Sequence, residues 1–240
     1  MPSLALCPYF SIAFKKEKLE QYGIKSAKEY KAGNYFGNSS LGAEEIYRDV
    51  TNSLSDLLDR MEIGFPVNKN NERLRTLTSE TVVAREINYI VYGKCFEIDL
   101  AQFNEPLQFV QFYLKMDGYV FVNMNGHFHN MDSYSKVPVV LKQCLFIDFT
   151  YEIMIQNDVK NCRKYNKETF DICSEKAIEA KLLGLYNCSV PFFNSLTKPT
   201  ICNITEKAKE VTLICFHLLK GIVCSPGLLP ASAKAHFSFP

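Results

Sequence analysis

The sequence predicts an α+β fold: a helical segment, then an antiparallel sheet in the middle of the chain, then a cysteine-bearing helical pair. Three observations predict it. Ile46, Val50, Leu54, Leu57, Leu58 and Met61 recur at three- and four-residue steps, the spacing of one apolar helix face. Leu145, Ile147, Phe149, Tyr151, Ile153 and Ile155 alternate with a face carrying Asp148, Thr150 and Glu152. That is the period of a strand with one buried and one wet side, common in antiparallel sheets. Beyond Cys162 the period becomes helical again. A chain of 240 residues with 47% hydrophobic content can bury one large core or two small ones.

The elements follow in order. Lys15 to Tyr30 mixes charges with Leu19, Tyr22 and Ile24 and reads as a solvated helix or loop. Glu44 to Ile63 reads as one long helix. Glu44 and Glu45 stand in its first turn, where the macrodipole favours negative charge, and Gly64 and Pro66 stop it. Ile87 to Leu100 is rich in Ile, Val and Tyr around Gly93-Lys94-Cys95 and reads as strand. Phe112, Leu114 and Met116 alternate up to Asp117-Gly118, and Val120, Val122 and Met124 alternate after it. A two-residue Asp-Gly turn between alternating runs predicts a hairpin. Asp171 to Leu185 offers Ile178, Leu182 and Leu185 on one helical side. Thr205 suits the N-cap of a last helix with Ala208, Val211, Cys215, Leu218 and Leu219 inward and Gly221 at its end.

Charge and motifs exclude more than they assign. Twenty-seven Lys and Arg against 26 Asp and Glu leave a net charge of +1, so the electrostatic basis for a nucleic-acid partner is missing. No stretch approaches the roughly 18 apolar residues of a membrane-spanning helix; Val211 to Leu219 is too short and carries His217. The amino terminus lacks a basic flank and a long apolar run, so no signal peptide is expected. There is no phosphate-cradling Gly-rich loop, zincin motif or Gly-x-Ser-x-Gly elbow. His127 and His129 could share a face, but no third metal ligand is evident. No cofactor, no metal and no enzymatic activity are expected.

Cysteines and sequons pull the other way. Cys162, Cys173, Cys188, Cys202, Cys215 and Cys224 crowd the last third of the chain without the Cys-x-x-Cys clips of zinc sites. They read either as disulfides or as buried thiols acting as small hydrophobes. Asn38, Asn187 and Asn203 each head an Asn-x-Ser/Thr sequon, and the second contains Cys188. Together they favour an oxidising, extracellular setting.

Four motifs then carry a family resemblance. Pro2-Ser3-Leu4-Ala5-Leu6-Cys7-Pro8 resembles the Phe-Pro-Ala-Val-Thr-Ile-Cys segment that follows the first transmembrane helix of degenerin/epithelial sodium channels, with Met1 where the family has Phe. Tyr92-Gly93-Lys94-Cys95-Phe96 resembles the family's Tyr-Gly-Lys-Cys-Tyr palm strand. Cys162-Arg163-Lys164-Tyr165, Phe170, Cys173 and Cys188-Ser189-Val190-Pro191-Phe192, followed by Ile201-Cys202, resemble its thumb. Cys224-Ser225-Pro226 with Leu228-Leu229-Pro230 is similar to its closing segment. The motifs stand in family order from Pro2 to about Pro230, and their detail resembles an invertebrate, pickpocket-like member.

The resemblance implies an antiparallel palm-like sheet, a helical finger and a disulfide-bearing helical thumb. Residues 1–40 would be the segment leading into the palm, 41–86 the finger, 87–160 the palm strands, 161–230 the thumb and 231–240 a tail. It implies bridges Cys7–Cys95 and Cys188–Cys202, with Cys162, Cys173, Cys215 and Cys224 as further disulfide candidates. Closing the loop of about 90 residues between Cys7 and Cys95 is worth roughly 4–5 kcal/mol. Cys144 is the candidate for the unpaired ninth cysteine, and Ala231 stands where the family has a Cys. Asn38, Asn203 and Asn187 are the glycosylation candidates.

The full protein is expected to be an amiloride-sensitive, sodium-selective homo- or hetero-trimer at the plasma membrane, with this region on the extracellular face and both pore helices outside the sequence. Met1 at the position of the family's Phe points to a partial gene product. Two alternatives belong to other classes: a secreted disulfide-bonded binding protein without channel activity, and a cytosolic enzyme using Cys and His.

Overall fold

The computed structural model describes residues 3–35, 37–68, 71–89, 92–103, 107–123, 136–141, 144–148, 179–181, 183–191, 201–202, 209–211 and 236–238. Side chains at 66–68, 71–72, 123, 144–148 and 236–238 are not part of the description. The described chain is α+β with antiparallel strand pairing and short helices.

Two five-stranded sheets carry the core. The first runs in the order β4 (Arg85–Tyr89), β5 (Gly93–Asp99), β1 (Ser3–Pro8), β7 (Gly118–Asn123), β8 (Lys136–Val139). The second runs β10 (His236–Ser238), β9 (Cys144–Asp148), β6 (Phe109–Leu114), β2 (Leu58–Asn68), β3 (Asn71–Thr78). Leu4, Leu6, Phe96, Ile98 and Val120 of the first sheet share one buried cluster with Met61, Ile63, Val110 and Phe112 of the second. Each such side chain stabilises by about 1.5–3 kcal/mol when fully buried. The other face of the first sheet buries Ala5, Cys7, Ile87, Cys95 and Phe121. All six residues of β1 are therefore buried, and the middle of this sheet is dry on both faces although its pairing is antiparallel.

Helices α1 (Lys16–Gln21), α2 (Ala27–Lys31) and α3 (Ala43–Val50) form a separate layer. They are short, and side-chain caps mark the starts of α2 and α3. Ser26 Oγ accepts from the Glu29 amide at 3.2 Å, and Glu45 accepts from the Gly42 amide at 3.1 Å, both satisfying donors that a helix start leaves open. Leu19, Ile24, Tyr30, Tyr35, Ile46, Tyr47 and Val50 close this layer's own core.

The long helix expected from Glu44 to Ile63 is not formed. Helix α3 ends at Val50, because Thr51 turns extended and makes an isolated bridge with Phe14, while its hydroxyl donates back to the Tyr47 carbonyl at 2.7 Å. Ser53 and Asp56 then cap a single turn, α4 (Leu54–Leu57), and β2 begins at Leu58. From Met61 onward the apolar residues Met61, Ile63 and Phe65 fall on alternate positions and are buried, so a period of two wins. Gly64 and Pro66 are inside this strand rather than at a helix stop. Gly64 lies where any side chain would collide with the Phe109 ring. Within the segment 41–86, expected to be helical, Leu58–Asn68 and Asn71–Thr78 are thus paired antiparallel strands.

The Asp117-Gly118 hairpin is also corrected. Strands β6 and β7 flank that turn but belong to different sheets: β6 pairs with β2 and β9, and β7 with β1 and β8. Gly118 serves a close approach, since a Cβ there would meet the Cys7 carbonyl. Asp117 holds the corner from both sides. Its carbonyl accepts from the Tyr9 amide at 3.2 Å, and its Oδ1 accepts from the Leu141 amide at 2.6 Å. The expected strand from Leu145 to Ile155 is represented by β9, and residues 149–155 lie outside the description. The segment 231–240, read as a tail, contributes β10, which pairs with β9 from His236↔Asp148 to Ser238↔Phe146.

Candidate functional site

Among the described residues, two disulfides organise the fold. The first joins Cys7 of β1 to Cys95 of β5, with Cα atoms 4.4 Å apart. These strands pair antiparallel with Leu6 opposite Phe96, so the next residue on one strand faces the preceding residue on the other, as a cross-strand bridge requires. Both cysteines are fully buried. Aromatic rings wall the bridge: Tyr92 stacks on Tyr89 at 5.4 Å and meets Tyr119 and Phe121 edge-on, each at 5.5 Å. The Lys136 ammonium lies 5.0 Å from the Tyr119 ring centroid, within cation–π range. Along the same strand pair, the Arg85 guanidinium contacts Glu97 at 2.6 Å, with Glu97 only 1% exposed. A carboxylate this deep needs such a partner. Gly93, at φ 68°, turns the chain beside the Ala13 carbonyl.

The second disulfide joins Cys188 to Cys202 across 14 residues of sequence. Ser189 and Ile201 form a parallel bridge, and the Cys202 amide donates to the Ser189 carbonyl at 2.8 Å. This turn is docked rather than free. Cys188, Val190, Cys202 and Val211 pack into the same core as Tyr30, Tyr35, Ile46 and Val50 of the helical layer. Gly33, at φ 108°, has the backbone of Lys209 where its Cβ would be.

Electrostatics mark the seams. Burial, reinforced by Tyr47 and Tyr35, pushes the Tyr30 phenol well above its ordinary range, and its hydroxyl finds no hydrogen-bond partner among the described residues. The Tyr22 hydroxyl donates to Asp49 at 2.6 Å; that bond, and then Lys18, outweigh burial and lower the Asp49 carboxyl. Burial pulls the Asp56 carboxyl upward, but Lys15 at 2.8 Å and the Ser53 amide and hydroxyl hold it down to about 2. The contacts of Tyr22 and Lys18 with Asp49 join α1 to α3, and that of Lys15 with Asp56 joins the start of α1 to α4.

The structure brings Cys7 to Cys95 and Cys188 to Cys202. Cys162, Cys173, Cys215, Cys224, Asn203, His127 and His129, and the side chain of Cys144, lie outside the described residues. Asn38 and Asn187 are both exposed. Among the described residues no group of three or more His, Cys, Asp or Glu could hold a metal ion, and no helix is long and apolar enough to cross a membrane. Sequence reading missed the Arg85–Glu97 pair. Its signal is the register Arg85↔Glu97, which exists only once β4 and β5 are paired. No protein-family model matches the chain, and no curated protein matches it.

Proposed function

We propose that this chain is the extracellular part of a trimeric sodium channel subunit of the degenerin/epithelial sodium channel type, gated by ligand, protons or force. It has no enzymatic role in this reading. The first sheet acts as the palm, and the helical layer with the Cys188–Cys202 turn acts as a lever upon it. One observation carries the reading: each cysteine pair that the resemblance implies is bridged, and each bridge sits on an element suited to its role. Cys7–Cys95 ties the first strand of the chain to a central strand. Cys188–Cys202 stiffens a turn that packs on helices. The helical layer meets the first sheet at Gly93, where a Cβ would touch the Ala13 carbonyl and the Thr51 side chain.

The test is the transcript on both sides of the coding sequence. The reading expects in-frame runs of about 20 apolar residues before Pro2 and after Pro240. A cleavable signal peptide before Pro2 and a stop near Pro240 would withdraw channel activity and leave a secreted disulfide-bonded binding protein. A reduced, cytosolic product would overturn both.

A further inference from the structure

Two exposed asparagines head sequons, yet their surroundings differ in every respect that matters to a glycosyl transfer. In Asn38-Ser39-Ser40 the acceptor and the hydroxyl residue two positions on are both exposed. The turn is set by backbone bonds, with the Asn38 amide donating to the Tyr22 carbonyl at 2.8 Å. The Asn38 side chain packs over Gly23, whose Cβ would come within 2.6 Å of Nδ2, and the residue as a whole stays exposed. In Asn187-Cys188-Ser189 the acceptor is held at φ 52°, a left-handed conformation that asparagine adopts more readily than other non-glycine residues. Ser189 is 2% exposed, with its hydroxyl buried and unpartnered among the described residues. Its backbone is pinned to Ile201 and Cys202, and the middle residue of the sequon is itself one half of a disulfide.

We propose that Asn38 is a glycan acceptor and that pairing of Cys188 with Cys202 silences the sequon at Asn187. The proposal rests on the extracellular reading above, because the donor is a lipid-linked oligosaccharide pyrophosphate of the secretory pathway. In the transfer a bond forms between Asn Nδ2 and the sugar's anomeric carbon. The bond from that carbon to the pyrophosphate breaks, the lipid pyrophosphate leaves, and an Nδ2 proton goes to the transferase's base. The acceptor amide and the hydroxyl two residues on must be presented together. Asn38 and Ser40 meet that need; Asn187 and Ser189 meet it only until the bridge draws Ser189 into the core. Oxidation of Cys188 and glycosylation of Asn187 therefore compete on the nascent chain.

The test expresses the full chain behind a cleavable signal peptide in eukaryotic cells and maps each sequon by mass spectrometry after enzymatic deglycosylation in heavy-oxygen water. Expected are a glycan at Asn38, none at Asn187 in the wild type, loss of the first in Asn38→Gln, and gain at Asn187 in Cys202→Ser. Transfer precedes quality control, so retained Cys202→Ser material is as informative as secreted material. Dithiothreitol during synthesis gives the same gain at Asn187 in the unmutated chain. An occupied Asn187 beside an intact Cys188–Cys202 bridge, an empty Asn38, or no gain with Cys202→Ser and with reductant would each overturn the proposal. Because the leader forces entry to the pathway, these outcomes are independent of the native location. That is read from whether the native protein carries the Asn38 glycan, and its absence there sinks the extracellular reading instead.

Discussion

The bridge in the first sheet and the bridge beside the helical layer constrain chains of very different length. Cys7 and Cys95 are 88 residues apart in sequence but opposite one another on paired strands, in the middle of a sheet whose centre is buried on both faces. Cys188 and Cys202 are 14 residues apart, and the described backbone bonds around them are one parallel bridge, the Cys202–Ser189 contact and the Asn187 amide donating to the Leu183 carbonyl. The long-range bridge therefore acts chiefly on the unfolded chain, which loses conformations when its ends are tied. The short-range bridge closes a smaller loop and so constrains the unfolded chain less, while in the fold it holds a turn that is docked on the helical layer. One sets global stability and the other sets local stiffness.

Removal of each pair tests that division. Replacing Cys7 and Cys95 together by Ala should lower the unfolding free energy by about 4–5 kcal/mol, measured by urea denaturation, with the strand ladder still visible in far-ultraviolet dichroism. Replacing Cys188 and Cys202 should cost about 3 kcal/mol by the same chain-entropy reasoning. Its loss of hydrogen-exchange protection should concentrate at Cys202 and Asn187, leaving the amides of β1 and β5 protected. Equal loss of protection across both layers would mean that they unfold as one unit, and the comparison would fail.

A third change acts on the first sheet without touching its disulfide. Gly118→Val places a branched side chain against the Cys7 carbonyl, and the strands β1 and β7 must part there. Overpacking of this kind costs typically 1–3 kcal/mol. The cost should appear in the same global transition as the loss of Cys7–Cys95, and should leave exchange near Ser189 unaltered. A shift confined to the Ser189 turn would contradict the assignment of Gly118 to the sheet corner.

These same residues show what the sequence made legible. Helix α3 was readable because Ile46 and Val50 are one turn apart and Glu44 and Glu45 open it. Strand β2 was not, because Leu54, Leu57, Leu58 and Met61 satisfy a helical period and only Met61, Ile63 and Phe65 together reveal the other. Asp117-Gly118 carries the composition of a hairpin, but its glycine answers a tertiary need, the passage beneath Cys7, that no local window contains. The cysteine pairs were legible through resemblance rather than spacing. The sequons were legible as motifs, while the burial of Ser189 and the φ of Asn187 appear only in the fold.

The smallest effect tests the joint between the two layers. Lys15 follows the Phe14–Thr51 bridge and donates its amide to the Val50 carbonyl at 2.7 Å. Its ammonium reaches Asp56 in the one-turn helix that opens into β2. The Asp56 carboxyl is lowered from 3.8 to about 2, so its contribution is fully present above the ordinary value and is lost as pH falls through the folded one. The window runs from about pH 4 to about pH 2. Both side chains are 36% exposed, and solvent screening keeps the pair to less than about 1 kcal/mol. Lys15→Met should move the midpoint of acid unfolding to higher pH by a small amount, and added salt should shrink the difference between wild type and variant. If the two acid titrations superimpose at low salt, the ion pair contributes nothing. The joint then rests on Leu57 and Val50 in their separate cores, and the two layers are coupled by packing at their edges rather than by charge.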